Sequence, residues 1–530
     1  MRRVGGRALI GALLALVATQ AGGSVSGHAA TVPGTASNFT LIGHNSLYDR
    51  GENAAMANYD HYMYIGSRSD GTHLHSGVEV VDIADPSNPV VVNEIPLPAT
   101  MTAGYTSREL RVWPQQKVLM VLYFGCSGLI HSCVSGSDTG EQPLTRINFF
   151  DLSGANAANP LLTSTYTPPV TPHEMYLWVD PQHSSSRALL YWTSPNSTLM
   201  QLVVTDLSQW RAGTFTNLAA FPKPSYQGVD TSNLDVRLHS LSVSVDGTHA
   251  YLAYLGGGVL ILDTSQFASG AASPKITQIT PVTGRGQWTD PTGEDAHSSV
   301  YIPGKPYILT TEELYGKGTP AMSAAFGPAF AGCPWGWVHI VDMSDPTNLK
   351  VVSEFKIDEN YLTSCPALQD NFSAYTSHNP TVLPDIAFIT WHSGGLRAVD
   401  LSDPTHPSQD GFFVPTPEPT TVGHTADPAL EPGSNGTIAW SYPIIRNGLI
   451  YYIDIANGLY VLKYSGPHAD EVNSVSFLEG NSNLGDAARL AAQPSDNTPE
   501  APLPLLLLGT GLLATMIGAG RRRRRARVAA

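Results

Sequence analysis

The sequence predicts an all-β protein: a seven-bladed β-propeller, with an N-terminal signal peptide and a C-terminal membrane-anchor helix. Three observations predict it. A strand-and-turn unit recurs along the chain, the composition favours turns over charge, and both ends read as addresses rather than as fold.

The recurring unit is plainest at residues 77–89, "GVEVVDIADPSNP", 336–348, "GWVHIVDMSDPTN", and 395–407, "GLRAVDLSDPTHP". A short apolar run ends in Asp, then an apolar and a small residue, then Asp-Pro. Asp and Ser accept hydrogen bonds from backbone amides two residues on, and Pro fixes φ for a turn. Each copy therefore predicts a buried strand that stops at a tight turn. The Asp position recurs at Asp82, Asp151, Asp206, Asp263, Asp342 and Asp400, and Lys463 holds it in a seventh, degenerate copy. The spacings are 69, 55, 57, 79, 58 and 63 residues. Strand repeats of about this length signify a radial array, in which each small sheet buries its faces against its neighbours. We place the propeller at residues 38–466. Upstream of most Asp positions lie two further strands, as in "HSLSVSVDGTHAYLAYLGGGVLILDTS", where Asp246-Gly247 and Gly256 to Gly258 supply the turns.

The chain of 530 residues carries 49 Gly and 40 Pro, is only 14% charged, and has a net charge of -15. This balance argues against a nucleic-acid partner, which needs clustered Lys and Arg to neutralise phosphates. No nucleotide-binding glycine loop and no G-x-S-x-G nucleophile motif is present. The one basic cluster, Arg521 to Arg525 with Arg527, is part of the C-terminal address.

The first 30 residues have a basic start, an apolar stretch near residues 8–18 and small residues after it, the pattern of a secretory signal peptide. At the other end, about 16 apolar residues (503–519) precede the Arg block of residues 520–530, which the positive-inside rule keeps cytoplasmic. The membrane is thus one expected partner, and the folded part is expected outside it. Residues 467–502, rich in Ser, Asn, Ala and Pro, are expected to be a disordered stalk. Cys126, Cys133, Cys333 and Cys365 make an even count in an extracytoplasmic setting, which predicts disulfides, most simply 126–133 and 333–365.

Aligned on their third strands, four successive copies offer histidine at the start of the first strand: His173, His239, His297 and His378. The second copy has Arg108 there, the first Asn53 and the seventh Ser441. A second position, at the end of the second strand, holds Glu312 and His392. First strands line a propeller channel, so these imidazoles are expected near one mouth. Imidazoles with a carboxylate suit a transition metal such as copper, zinc or iron. In that reading His173, His239, His297 and His378 are ligands, Glu312 a ligand or base, and His392 a supporting group. Glu109 and Glu174, one residue past the position, are expected to point away along a regular strand. The competing reading makes the histidines structural, bonded to the neighbouring blade's backbone.

The units "VDIADPSNPVVV" and "VDLSDPTHP" resemble the LVIVD repeat of secreted and surface β-propellers of bacteria. The resemblance is strong in three copies, degenerate in four, and spans about four-fifths of the chain. It implies a propeller and an extracellular location, and fixes no activity. The tail "TPEAPLPLLLLGTGLLATMIGAGRRRRRARVAA" resembles the tripartite C-terminal anchors of bacterial surface proteins, such as the PEP-CTERM type. Two functions follow: a surface module that binds a protein or glycan ligand, or an extracytoplasmic metal-dependent, oxidase-like enzyme. The seven-bladed selenium-binding and methanethiol-oxidase proteins are similar in architecture and also use histidines. This chain lacks a cysteine motif of their kind.

Overall fold

The structure, a computed structural model, describes residues 33–101, 103–125, 145–225, 236–281, 296–314, 336–361, 374–419 and 436–493. Seven antiparallel sheets are present among them. Blade 1 runs Asn53–Tyr59, Tyr62–Ser67, Val78–Asp82, Val90–Ile95. Blade 2 starts at Tyr105–Trp113, blade 3 at Met175–Val179, blade 4 at Ser240–Val243, blade 5 at Ala296–Tyr301 and blade 6 at Pro380–Val382. The first strands of neighbouring blades contact one another around a central axis.

The turn chemistry explains why each third strand stops where it does. Asp82, Asp151, Asp206, Asp263, Asp342 and Asp400 each end that strand. In each, a carboxylate oxygen accepts from the backbone N–H two residues on, at distances from 2.7 Å (Ser402) to 3.2 Å (Ser153). The following Asp-Pro repeats the device: Asp85, Asp345 and Asp403 accept from Ser87, Thr347 and Thr405.

No blade can cover its own faces. Seven large apolar clusters lie among the described residues, each drawing on two neighbouring blades. The cluster of Met56, Met63, Ile65, Ile444, Ile453 and Val461 joins blade 1 to blade 7 and so closes the ring.

Closure also uses the N-terminus, which the repeat pattern does not show. Phe39–Asn45 pairs with Gly458–Tyr464 and forms the outer strand of blade 7, while Thr35–Ser37 pairs with the last strand of blade 6. The propeller therefore starts at residue 35. Gly458 sits at this seam with φ +99°, and a Cβ there would lie 2.2 Å from the Asn45 carbonyl, so this position requires glycine.

The stalk expectation is corrected for residues 467–493, which fold onto the propeller. A short helix, Ala469–Ser474, packs on blades 6 and 7, and Phe477–Glu479 adds a strand to the inner edge of blade 7 through Ile444–Arg446. Residues 480–483 then cross to blade 3, where Asn483 accepts from the Val179 N–H (2.8 Å) and donates to the Val179 carbonyl (2.8 Å). The Ser and Asn content that suggests solvent-borne chain instead satisfies open sheet edges. The apolar residues among them, Val472, Val475, Leu478, Leu484 and Leu490, are buried. This segment is the floor of the channel.

The seating of the segment is expected to depend on pH. Glu471 is pushed up to about 7, first by burial and then by the Asp385 carboxylate. A carboxyl whose folded pKa is raised contributes stability that is full below its unfolded value, ordinarily about 4.3, and is lost as pH rises through the folded value. We expect the protein to gain about 1–2 kcal/mol from this group between pH 8 and pH 5.5, after allowance for partial exposure. Thermal unfolding at the two pH values, compared with Glu471→Gln, checks it; an equal pH dependence in both proteins overturns it.

The signal-peptide residues, residues 494–530 with the anchor, and all four cysteines lie outside the described residues. Among the described residues, no helix is long and apolar enough to cross a membrane.

Candidate metal centre

The four histidines of the shared position converge. His173 and His239 bring their Nε2 atoms to 2.9 Å, and the ring centroids step round the channel at 4.5 Å (His173 to His239), 4.0 Å (His239 to His297) and 4.4 Å (His297 to His378). His173 and His239 are partly exposed, whereas His297, His378 and His392 are buried. Blade order produces this arc: equivalent positions on blades 3 to 6 are adjacent around one axis.

The carboxylate of the cluster is Glu313, not Glu312. Glu313 Oε2 lies 3.3 Å from His297 Nε2, and Oε1 lies 3.3 Å from both His378 Nε2 and His392 Nε2. Glu312 ends the strand Tyr307–Glu312 and turns the other way. Its Oε1 lies 3.1 Å from His339 Nε2 and its Oε2 accepts from the Trp337 N–H at 3.3 Å. Successive side chains alternate along a strand, so one of two adjacent glutamates must leave the channel. The doublet in "TTEELYG" shows that a carboxylate is available, but not which one faces the axis.

Two further placements differ from expectation. His392 touches Glu313 directly, so it belongs with the other imidazoles rather than behind them. Glu174 does not point away: donor atoms of His173, Glu174 and His239 lie within 4.8 Å of one another, with Glu174 Oε1 3.8 Å from His239 Nδ1. The alternation rule does not reach it, because the regular strand of blade 3 begins only at Met175. Glu109 does leave the cluster, held by Arg111 at 3.2 Å. Trp440, unmarked by any repeat position, covers the far side: its ring stacks on His392 at 5.0 Å and lies 4.1 Å from His378, and Arg68 lies over it at 4.2 Å. On blades 1 and 7 the shared position bonds to backbone, across the seam from blade 1 and within blade 7 itself. Asn53 donates to the Ile455 carbonyl (3.0 Å) and Ser441 accepts from the Ile453 N–H (3.0 Å).

Beneath the arc, Tyr442 joins Ser240 and Ser298 at 3.2 Å each, and the C-terminal segment closes the far end.

Burial dominates the titration. It holds His173, His239 and His378 well below the ordinary imidazole value, and His297 down at about 4 even though Glu313 opposes the shift. For Glu313, burial pushes upward but His297, His378 and His392 outweigh it, so the carboxyl lies well below its usual range. Glu174 is pushed up to about 8 by burial and by Glu109. At neutral pH the arc is neutral imidazole around one carboxylate, which is the ionisation state a transition metal needs. Overlapping trios are available: His173, Glu174, His239; then His239, His297, Glu313; then Glu313, His378, His392. Donors at about 2.0–2.1 Å from one ion sit about 2.9 Å apart in an octahedral shell and about 3.4 Å in a tetrahedral one; in the trio Glu313, His378, His392 the carboxylate stands 3.3 Å from each imidazole, within that range, whereas Glu174 and His239 are 3.8 Å apart.

Fold and site together define the class: a closed, seven-bladed β-propeller with a histidine-rich channel mouth. The family model for the LVIVD repeat matches residues 57–95, 239–274 and 381–413, in blades 1, 4 and 6. The protein is thus a propeller carrying LVIVD repeats. The unit at 336–348 falls in blade 5, outside these matches. No curated protein matches the chain.

Proposed function

We propose that this LVIVD-repeat propeller is an extracytoplasmic metal-binding module, held at the membrane by its C-terminal segment, with copper, zinc or iron bound by the histidine arc and Glu313. The signal-like start and the apolar, Arg-ended tail support the location.

One observation carries the metal. His378 Nδ1 lies 2.6 Å from the Trp440 carbonyl, which can only accept, so Nδ1 bears the proton. In the neutral ring Nε2 then carries a lone pair, and it faces Glu313 Oε1 at 3.3 Å. A lone pair opposed to a carboxylate oxygen repels unless a cation lies between them. The depressed pKa of His378 keeps a second ring proton from filling that place at neutral pH. A metal ion satisfies both groups, and the Trp440 carbonyl orients the ring as outer partners of metal-bound histidines do.

Elemental analysis of the purified full-length chain is expected to give at least one equivalent of copper, zinc or iron. Glu313→Gln and His378→Ala are each expected to weaken metal affinity by at least about tenfold. A metal-free protein whose unfolding temperature ignores all three ions, and whose His378 is doubly protonated by nitrogen NMR at pH 7, would overturn the reading.

A further inference from the structure

We propose that the channel mouth binds a small anion of the carboxylate class through the guanidinium of Arg108. The proposal deepens the metal reading by giving the charge and shape of the ligand, but it rests on a different residue.

Arg108 holds, on blade 2, the position that histidine holds on blades 3 to 6. It lies in the strand Tyr105–Trp113 where the pairing register shifts, between Thr106 and Glu109. It is only 4% exposed. Its Nη2 stands 3.4 Å from His173 Nε2, and its Cζ lies 5.4 Å from the Phe124 ring centroid. Neither Nε nor Nη1 has a hydrogen-bond partner among the described residues.

Two other buried guanidiniums, Arg50 and Arg397, are differently served. Arg50 gives its donors to Asn53 and to four backbone carbonyls, with Glu79 at 3.5 Å. Arg397 bonds the Gly394 carbonyl and Gln409, with Glu359 at 3.5 Å. The neighbour of Arg108 in sequence, Glu109, is already paired with Arg111. A buried guanidinium with two donors unspent costs stability in the absence of an acceptor, and it stands beside the histidine arc.

On a chain of net charge -15, a buried guanidinium with free donors is a local attractor for a small anion. Asn483 pairs with Val179 at the opposite end of the blade 3 inner strand, away from Arg108. The planar fork of a guanidinium matches the two oxygens of a carboxylate.

The test is calorimetric titration of the full-length protein with acetate and succinate, with phosphate as a tetrahedral comparison and metal content measured on the same samples. We expect acetate or succinate to bind, Arg108→Gln to weaken binding at least about tenfold, Arg108→Lys to retain part of it, and both variants to keep the wild-type metal content. Equal affinity in wild type and Arg108→Gln overturns the proposal, as does phosphate binding without carboxylate binding, or no binding of any of the three. Arginine-dependent carboxylate binding by a protein that holds no metal supports this proposal while ending the metal reading.

Discussion

A chain that ends at Gly466 is expected to lose at least about 4 kcal/mol of stability, although all seven repeat units are kept. The segment removed buries Val472, Val475, Leu478, Leu484, Ala487 and Leu490, which pack into the clusters between blades 6 and 7 and between blades 2 and 3. Loss of one large apolar side chain from a packed site costs about 2–5 kcal/mol. Freeing the chain returns about 1–2 kcal/mol of entropy per residue and offsets much of the sum. The polar losses are not offset in that way. The Val179 N–H and carbonyl lose Asn483, and Ile444–Arg446 becomes an unpaired inner edge, and buried backbone groups without partners cost about 1–3 kcal/mol each. The channel also opens at its second end. Calorimetric unfolding and limited proteolysis of the shortened protein would show the effect, and an unchanged unfolding temperature would refute the account of the floor.

The second large effect is expected at Arg50, which is fully buried in the turn before blade 1. It donates to Asn53 Oδ1 (2.8 Å) and to the carbonyls of His75, Gly77, Ile65 and Gly66, so a single side chain stitches the 68–77 loop to its strands. Glu79, 0% exposed, is its charge partner. Arg50→Leu would strand that carboxylate and four carbonyls in the interior, at a cost of about 3–5 kcal/mol. Pairing it with Glu79→Leu removes the stranded charge, so the double variant should recover a substantial part of the loss. Chemical denaturation of both variants separates the two contributions. A single-variant loss below about 1 kcal/mol, or a double variant no more stable than the single, would contradict this role.

Several features were legible in the residues because their causes are local. An Asp before a tight turn binds its own backbone two residues on, so the six Asp positions mark strand ends without reference to the rest of the chain. The histidines were legible through repetition, since four equivalent positions on consecutive blades must lie side by side if the blades form a ring. Arg108 was legible as the break in that run, but its unspent donors were not. Glu313 was hidden because alternation says only that Glu312 and Glu313 face opposite ways. Which one faces the axis follows from how blade 5 meets the loop at Trp337. Trp440 was hidden because it precedes the repeat position and reaches the arc across blade 7.

The sequence by itself determined the repeat, its strand ends, the number of units and the row of imidazoles, because each arises from hydrogen bonds and apolar periodicity within a few residues. Only the tertiary structure decided how the ring closes, what floors the channel and which carboxylate joins the arc. These depend on contacts between residues hundreds of positions apart, Phe39 with Tyr464 and Asn483 with Val179 among them, for which no local pattern exists.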